Sequence, residues 1–111
     1  MPDKSWKRAE RVVAKTVGGQ RNPLSGRNSR HTGGDVIHPK LYVEVKYRQN
    51  FAVTTLMREV EAAAKKEGKL PWLGLQPARL HTRYYVIRES ELELVIKAIS
   101  TMPDPDEGYT L

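Results

Sequence analysis

Between Gly34 and Arg48 the chain reads Gly-Asp-Val-Ile-His-Pro-Lys-Leu-Tyr-Val-Glu-Val-Lys-Tyr-Arg, and no other stretch restricts the fold as tightly. From Leu41 onward apolar and polar residues alternate with the period of two that marks a strand. Pro39 presets the φ angle wanted at the first turn position, so Pro39-Lys40 predicts a two-residue turn. Val36 then faces Val43, and Asp35 faces Glu44. Directly opposed side chains sit roughly 5 Å apart at Cβ. Lys46 shares a face with Glu44, while Val36, Val43 and Val45 point the other way, as a buried face should. The segment is therefore expected to be a hairpin with an apolar side and a side bearing two carboxylates and an ammonium.

The elements around it are readable from periodicity. From Lys4 to Val17, Trp6, Ala9, Val12, Val13 and Thr16 recur at helical steps, with Asp3 as cap and Gly18-Gly19 as stop. A short extended piece near Gln20 to Asn22 leads into a polar loop from Pro23 to Gly34. Thr54 to Lys66 predicts a second helix, capped by Thr54 or Thr55, stopped by Gly68, with Leu56, Val60, Ala63 and Ala64 as its stripe. Leu70 to Gln76 and Tyr84 to Arg88 read as strands, and Ser90 caps a last helix from Glu91 to Ser100. The expected order is α-β-β-β-α-β-β-α, an α/β fold with a mixed sheet flanked by helices. Residues 1–101 form one domain in this reading and 102–111 an acidic, proline-containing tail.

Composition narrows the class of partner. The 111 residues carry 19 Lys and Arg against 13 Asp and Glu, a formal charge of +6. Such a balance favours a polyanionic partner, because phosphate contacts supply most non-specific affinity for nucleic acid. There is no cysteine, which excludes a disulfide frame, a thiolate zinc site and a cysteine nucleophile. No signal peptide or membrane-spanning apolar run is visible, so a soluble, cytoplasmic protein is expected. His31, His38 and His81 show no metal-ligand spacing, and His38 is expected to be exposed in its turn. Trp6 and Trp72 read as core anchors.

Phosphodiester hydrolysis needs charge neutralisation at the scissile phosphate and a nucleophilic water, and a divalent ion supplies both. Magnesium takes oxygen ligands and is served by one or two carboxylates plus substrate phosphate. Asp35 and Glu44 supply carboxylates here, and the Val45 carbonyl is a natural further ligand. Lys46 is placed to orient or deprotonate the attacking water or to stabilise the transition state. Glu10, near the apolar stripe of the first helix, is a third carboxylate able to reach the sheet. Arg27, Arg30 and His31 in the glycine-containing loop are suited to a DNA backbone, as are Arg48 and Gln49 after the hairpin. A plainer reading stands beside this one: charged cross-strand pairs are ordinary on an exposed antiparallel sheet. Leu56, Met57 and Val60 fit a core stripe or a dimer surface equally well.

Taken together, these motifs resemble the PD-(D/E)xK nuclease superfamily, and within it the archaeal-type Holliday junction resolvases, from about Lys7 to Ser90. The likeness rests on the basic helix with Arg8-Ala9-Glu10-Arg11, on Gly-Gly-Gln-Arg21-Asn-Pro-Leu-Ser25-Gly, on Asp35 and on Glu44-Val45-Lys46. It implies a restriction-endonuclease-like fold and a magnesium-dependent endonuclease, with manganese able to substitute, acting as a homodimer on a four-way DNA junction. It assigns Glu10, Asp35, Glu44 and Lys46 to the active site, with metal at Glu10, Asp35, Glu44 and Val45. Arg21 and Ser25 become substrate-contacting or activity-supporting residues; with the residues read above, the expected DNA-binding set is Arg8, Arg21, Arg27, Arg30, Arg48 and Gln49. Gly34 stands where the superfamily often has proline, the loop before Asp35 is longer than in archaeal resolvases, and the hairpin is shorter. A nickase or restriction-type nuclease, a non-catalytic DNA-binding module and a structural protein of an RNA-protein particle are the alternatives.

Overall fold

Five strands form one mixed sheet in a computed structural model that describes residues 5–23 and 32–100. The elements are α1 (Ser5–Val17), β1 (Gln20–Arg21), β2 (Val36–Ile37), β3 (Leu41–Arg48), α2 (Val53–Glu67), β4 (Leu70–Pro77), β5 (Tyr84–Val86), a 3₁₀ turn (Glu89–Glu91) and α3 (Leu92–Ser100). Strands lie in chain order across the sheet. All pairs are antiparallel except β3 with β4, which run parallel because α2 carries the chain back between them. The expected element order and the α/β class are both observed.

β3 occupies the centre and divides the core. Leu41, Val43 and Val45 on one face pack with Ala9, Val13, Ala14 and Val17 of α1, with Trp72, and with Val95 and Ala98 of α3. Tyr42 on the other face packs with Leu56, Met57, Val60 and Ala64 of α2 and with Leu73 and Leu75. Leu56, Met57 and Val60 are thereby committed to the core. Both α1 and α2 end in the same glycine-dependent motif. Gly18 (φ 78°) and Gly68 (φ 67°) take the left-handed conformation, and the next residue's N–H reaches back to the carbonyl of Ala14 or Ala64, at 2.9 Å in each case.

The register of the hairpin is the expected one, with Val36 opposite Val43. Several local expectations are corrected. His38 is buried, not exposed, at 1% relative exposure. Its Nδ1 accepts hydrogen bonds from the N–H groups of Lys40 (3.0 Å) and Leu41 (3.1 Å), so the imidazole organises the turn from inside. Trp72 is a core residue against Tyr85 with ring centroids 4.7 Å apart, but Trp6 is 39% exposed and lies under the guanidinium of Arg21. Neither threonine caps α2, whose N-cap is Ala52 with no side-chain bond. β5 stops at Val86, and Ser90 lies within the 3₁₀ turn that precedes α3. The suggested cap Asp3 and the tail fall outside the described residues. No helix among the described residues is long and apolar enough to cross a membrane.

Candidate functional site

The alternation that buries Val43 and Val45 obliges Glu44 and Lys46 to stand on the opposite face of β3, beside Leu73 and Leu75 of β4. Asp35 reaches the same place from just before β2. Its N–H donates to the Val43 carbonyl at 2.8 Å, and its carboxylate accepts the Val45 N–H at 2.7 Å. The backbone of β3 thus clamps Asp35 by both its main chain and its side chain. A Cβ at position 34 would come 2.7 Å from the Val43 carbonyl oxygen, so only glycine permits this close approach. A proline there would meet the same obstruction.

This clamp brings two carboxyl groups together. The Glu44 carboxyl is hydrogen-bonded to Asp35, and its pKa is pushed up to about 9. Burial is the largest cause; the hydrogen bond and the charge of Asp35 add to it, and Lys46 opposes. Asp35 itself is only 6% exposed. A half-buried glutamate held against the buried carboxyl of Asp35, with a lysine beside it, is an arrangement whose electrostatic penalty a proton or a cation relieves. Tyr42, on the same face, feels the burial and the neighbouring acids, and its phenol is pushed up to about 12.

A second carboxylate anchors the same corner with opposite chemistry. Glu67, the last residue of α2, accepts hydrogen bonds from Thr32 Oγ1 (2.5 Å) and the Gly33 N–H (2.8 Å), and Lys69 lies 3.3 Å away. Burial alone would raise its pKa, yet these donors hold it below the usual carboxylate value. Asn22 closes the other side. Its side chain donates to the carbonyls of Thr32 (3.2 Å) and Gly34 (3.0 Å), and its N–H donates to that of Asp35 (2.8 Å). Asn22 is therefore fastened to residues 32–35, immediately beside the Asp35 carboxylate. Neither Asn22 nor Glu67 was expected to support the site. Asn22 did stand at the mouth of a polar loop, but Glu67 carries no such signal, being one more charged residue at a helix end.

Glu10 and Arg21 are brought to each other. Glu10 is 5% exposed, and Arg21 Nε donates to its Oε1 at 2.8 Å. The charge of Glu10 still reaches Glu44 and adds to the rise of its pKa. Among the described residues, no group of three or more His, Cys, Asp or Glu side chains could together hold a metal ion. Val45 is buried beneath α1 and offers Asp35 its N–H. Arg8, Arg48 and Gln49 are exposed. Ser25, Arg27, Arg30 and His31 lie outside the described residues. The chain matches no protein-family model, no curated protein and no solved structure.

Proposed function

We propose that the protein is a metal-dependent DNA endonuclease with a restriction-endonuclease-like fold, its centre being Asp35, Glu44 and Lys46. One observation carries the reading: the half-buried Glu44 carboxyl held against the buried carboxyl of Asp35 with a lysine beside them, Asp35 being clamped by the backbone of a central strand. The donor set suits magnesium or manganese, since it consists of carboxylate oxygens on a rigid support. Asp35 and Glu44 would hold the ion, and Glu10 adds negative potential from α1. When bound, the ion supplies charge neutralisation at the phosphate and a more acidic water. Lys46 places an ammonium at the same centre, where it stabilises negative charge developing on phosphate oxygens. Asn22 and the Thr32–Glu67 contact hold the strand ends that aim Asp35.

The resemblance to Holliday junction resolvases narrows this to a four-way junction cut by a homodimer, the net charge of +6 agreeing with a DNA partner. The test is cleavage of a labelled four-way junction and of its linear duplex, with magnesium and with chelator, beside Glu44→Ala. Paired nicks on the junction, lost in chelator and in the variant, are expected. Cutting of both substrates would retain the nuclease and remove the junction preference. Binding without cutting at any protein excess would leave a DNA-binding module instead.

A further inference from the structure

Near the end of β3 and β4 the molecule holds a concavity of basic character. A cavity of about 170 Å³ opens between the start of α1 and the loop joining β4 to β5. Arg8, Arg79, His81 and Arg83 line it, and no carboxylate among the described residues does. None of the four basic side chains forms an ion pair with a carboxylate among the described residues. Four basic groups around one hollow, with no acid among its described lining, give a local excess of positive potential.

The hollow is also built. Gln76 is buried beneath it and uses both ends of its amide: Nε2 donates to the carbonyls of Leu80 (2.6 Å) and Pro77 (3.2 Å), while Oε1 accepts from Arg83 Nη1 (3.0 Å). One side chain thus fixes both the loop and the guanidinium. Arg79 stands at φ 67°, the one non-glycine residue of positive φ among the described residues. A conformation so unfavourable for an arginine persists only where its surroundings hold it. Ser5 and Ala9 of α1 line the same cavity.

We propose that this pocket binds a phosphate group, with Arg83 and Arg79 as the principal donors and Arg8 and His81 completing the charge. Guanidinium forks match phosphate oxygens in pairs, and a fixed fork binds them without first being ordered. Tyr47 lines the pocket, three residues along β3 from Glu44, which is a separation of about 10 Å. The inference does not depend on the carboxylate pair being catalytic, because the pocket's lining is complete without it.

The test is done in chelator, so that metal at the carboxylates plays no part. Binding of inorganic phosphate, of a short single-stranded DNA with a 5′-phosphate and of the same strand with a 5′-hydroxyl is measured for the wild type, Arg79→Gln/Arg83→Gln and Lys15→Gln/Lys66→Gln. The last pair removes the same charge from exposed positions outside the pocket. Loss of about ten-fold or more in DNA affinity for the pocket variant alone, with a salt dependence reduced by about two phosphate contacts, is expected. Preference for the 5′-phosphate strand would identify a terminal phosphate as the ligand; equal binding of both strands would identify a backbone diester. Equal losses in the two variants, or no loss in either, would overturn the pocket. Should Arg79→Gln/Arg83→Gln unfold, Arg8→Gln/Arg79→Gln changes only exposed side chains and is read by the same criterion.

Discussion

Glu44 and Glu67 occupy the same corner of the molecule and are treated in opposite ways. Glu67 is given a hydroxyl, a backbone N–H and an ammonium, and its pKa falls. Glu44 is given burial and a second carboxylate, and its pKa rises. A carboxylate kept for structure is surrounded by donors. One surrounded by another acid stores an electrostatic penalty that only a proton or a cation removes, and such arrangements concentrate at functional sites. The contrast between these two glutamates is the strongest physical argument that Asp35 and Glu44 form a site and not a decorated sheet face.

The comparison breaks most visibly if the acids are neutralised one at a time. Glu44→Gln or Asp35→Asn is expected to lower metal-dependent cleavage by at least about 10³-fold, some 4 kcal/mol of barrier, in single-turnover kinetics. Glu67→Gln is expected to leave the cleavage step within a few fold and to act on stability instead. Removing its charge-assisted hydrogen bonds costs about 1–2 kcal/mol, read as a shift in denaturation midpoint. Equal effects on cleavage from both glutamates would erase the distinction.

Stability against pH sharpens it with two opposite slopes. A folded pKa raised above its unfolded value gives stability that is complete below about 4.5 and is lost as pH climbs toward 9, so the Glu44 contribution should fade across that interval in metal-free protein. Glu44→Gln should flatten this alkaline decline. Glu67, with a depressed folded pKa, contributes stability present above about 4.5 and lost as pH falls below it, and Glu67→Gln should flatten the acid limb. His38 adds a further acid-sensitive term. Burial lowers its pKa, and protonation at Nδ1 removes both turn hydrogen bonds, so stability should decline as pH falls through about 6.5. Chemical denaturation at a series of pH values resolves all three.

A further test concerns the clamp itself. Gly34→Ala should cost about 1–3 kcal/mol, because its Cβ has no room beside the Val43 carbonyl and the contact is with backbone. It should also weaken metal-dependent cleavage by displacing Asp35. A variant of unchanged stability and activity would show that the clamp does not position the acid.

How far these features could be read from the chain depends on how local their causes are. The hairpin was legible because a proline turn and strict alternation fix both register and face within fifteen residues, and Val36 does oppose Val43. Asp35 and Glu44 follow from that register. His38 was misjudged because a polar residue beside a turn reads as exposed, whereas here the turn's own N–H groups need an acceptor from within. The Glu10–Arg21 pair joins a helix to an edge strand, and nothing in the spacing announces it. The contact of Glu67 with Thr32 spans a separation of 35 residues, and the basic pocket assembles α1 with the β4–β5 loop. Contacts of that range are decided by packing of the sheet and leave no periodic trace.

The most direct test of the central claim is calorimetric titration of the metal-free protein with manganese near pH 7, repeated in two buffers of different ionisation enthalpy. If Asp35 and Glu44 exchange a shared proton for a cation, binding releases close to one proton per ion, tightens as pH rises toward 9, and disappears in Glu44→Gln. Binding that releases no proton, or that survives in Glu44→Gln with unchanged affinity, would contradict the account.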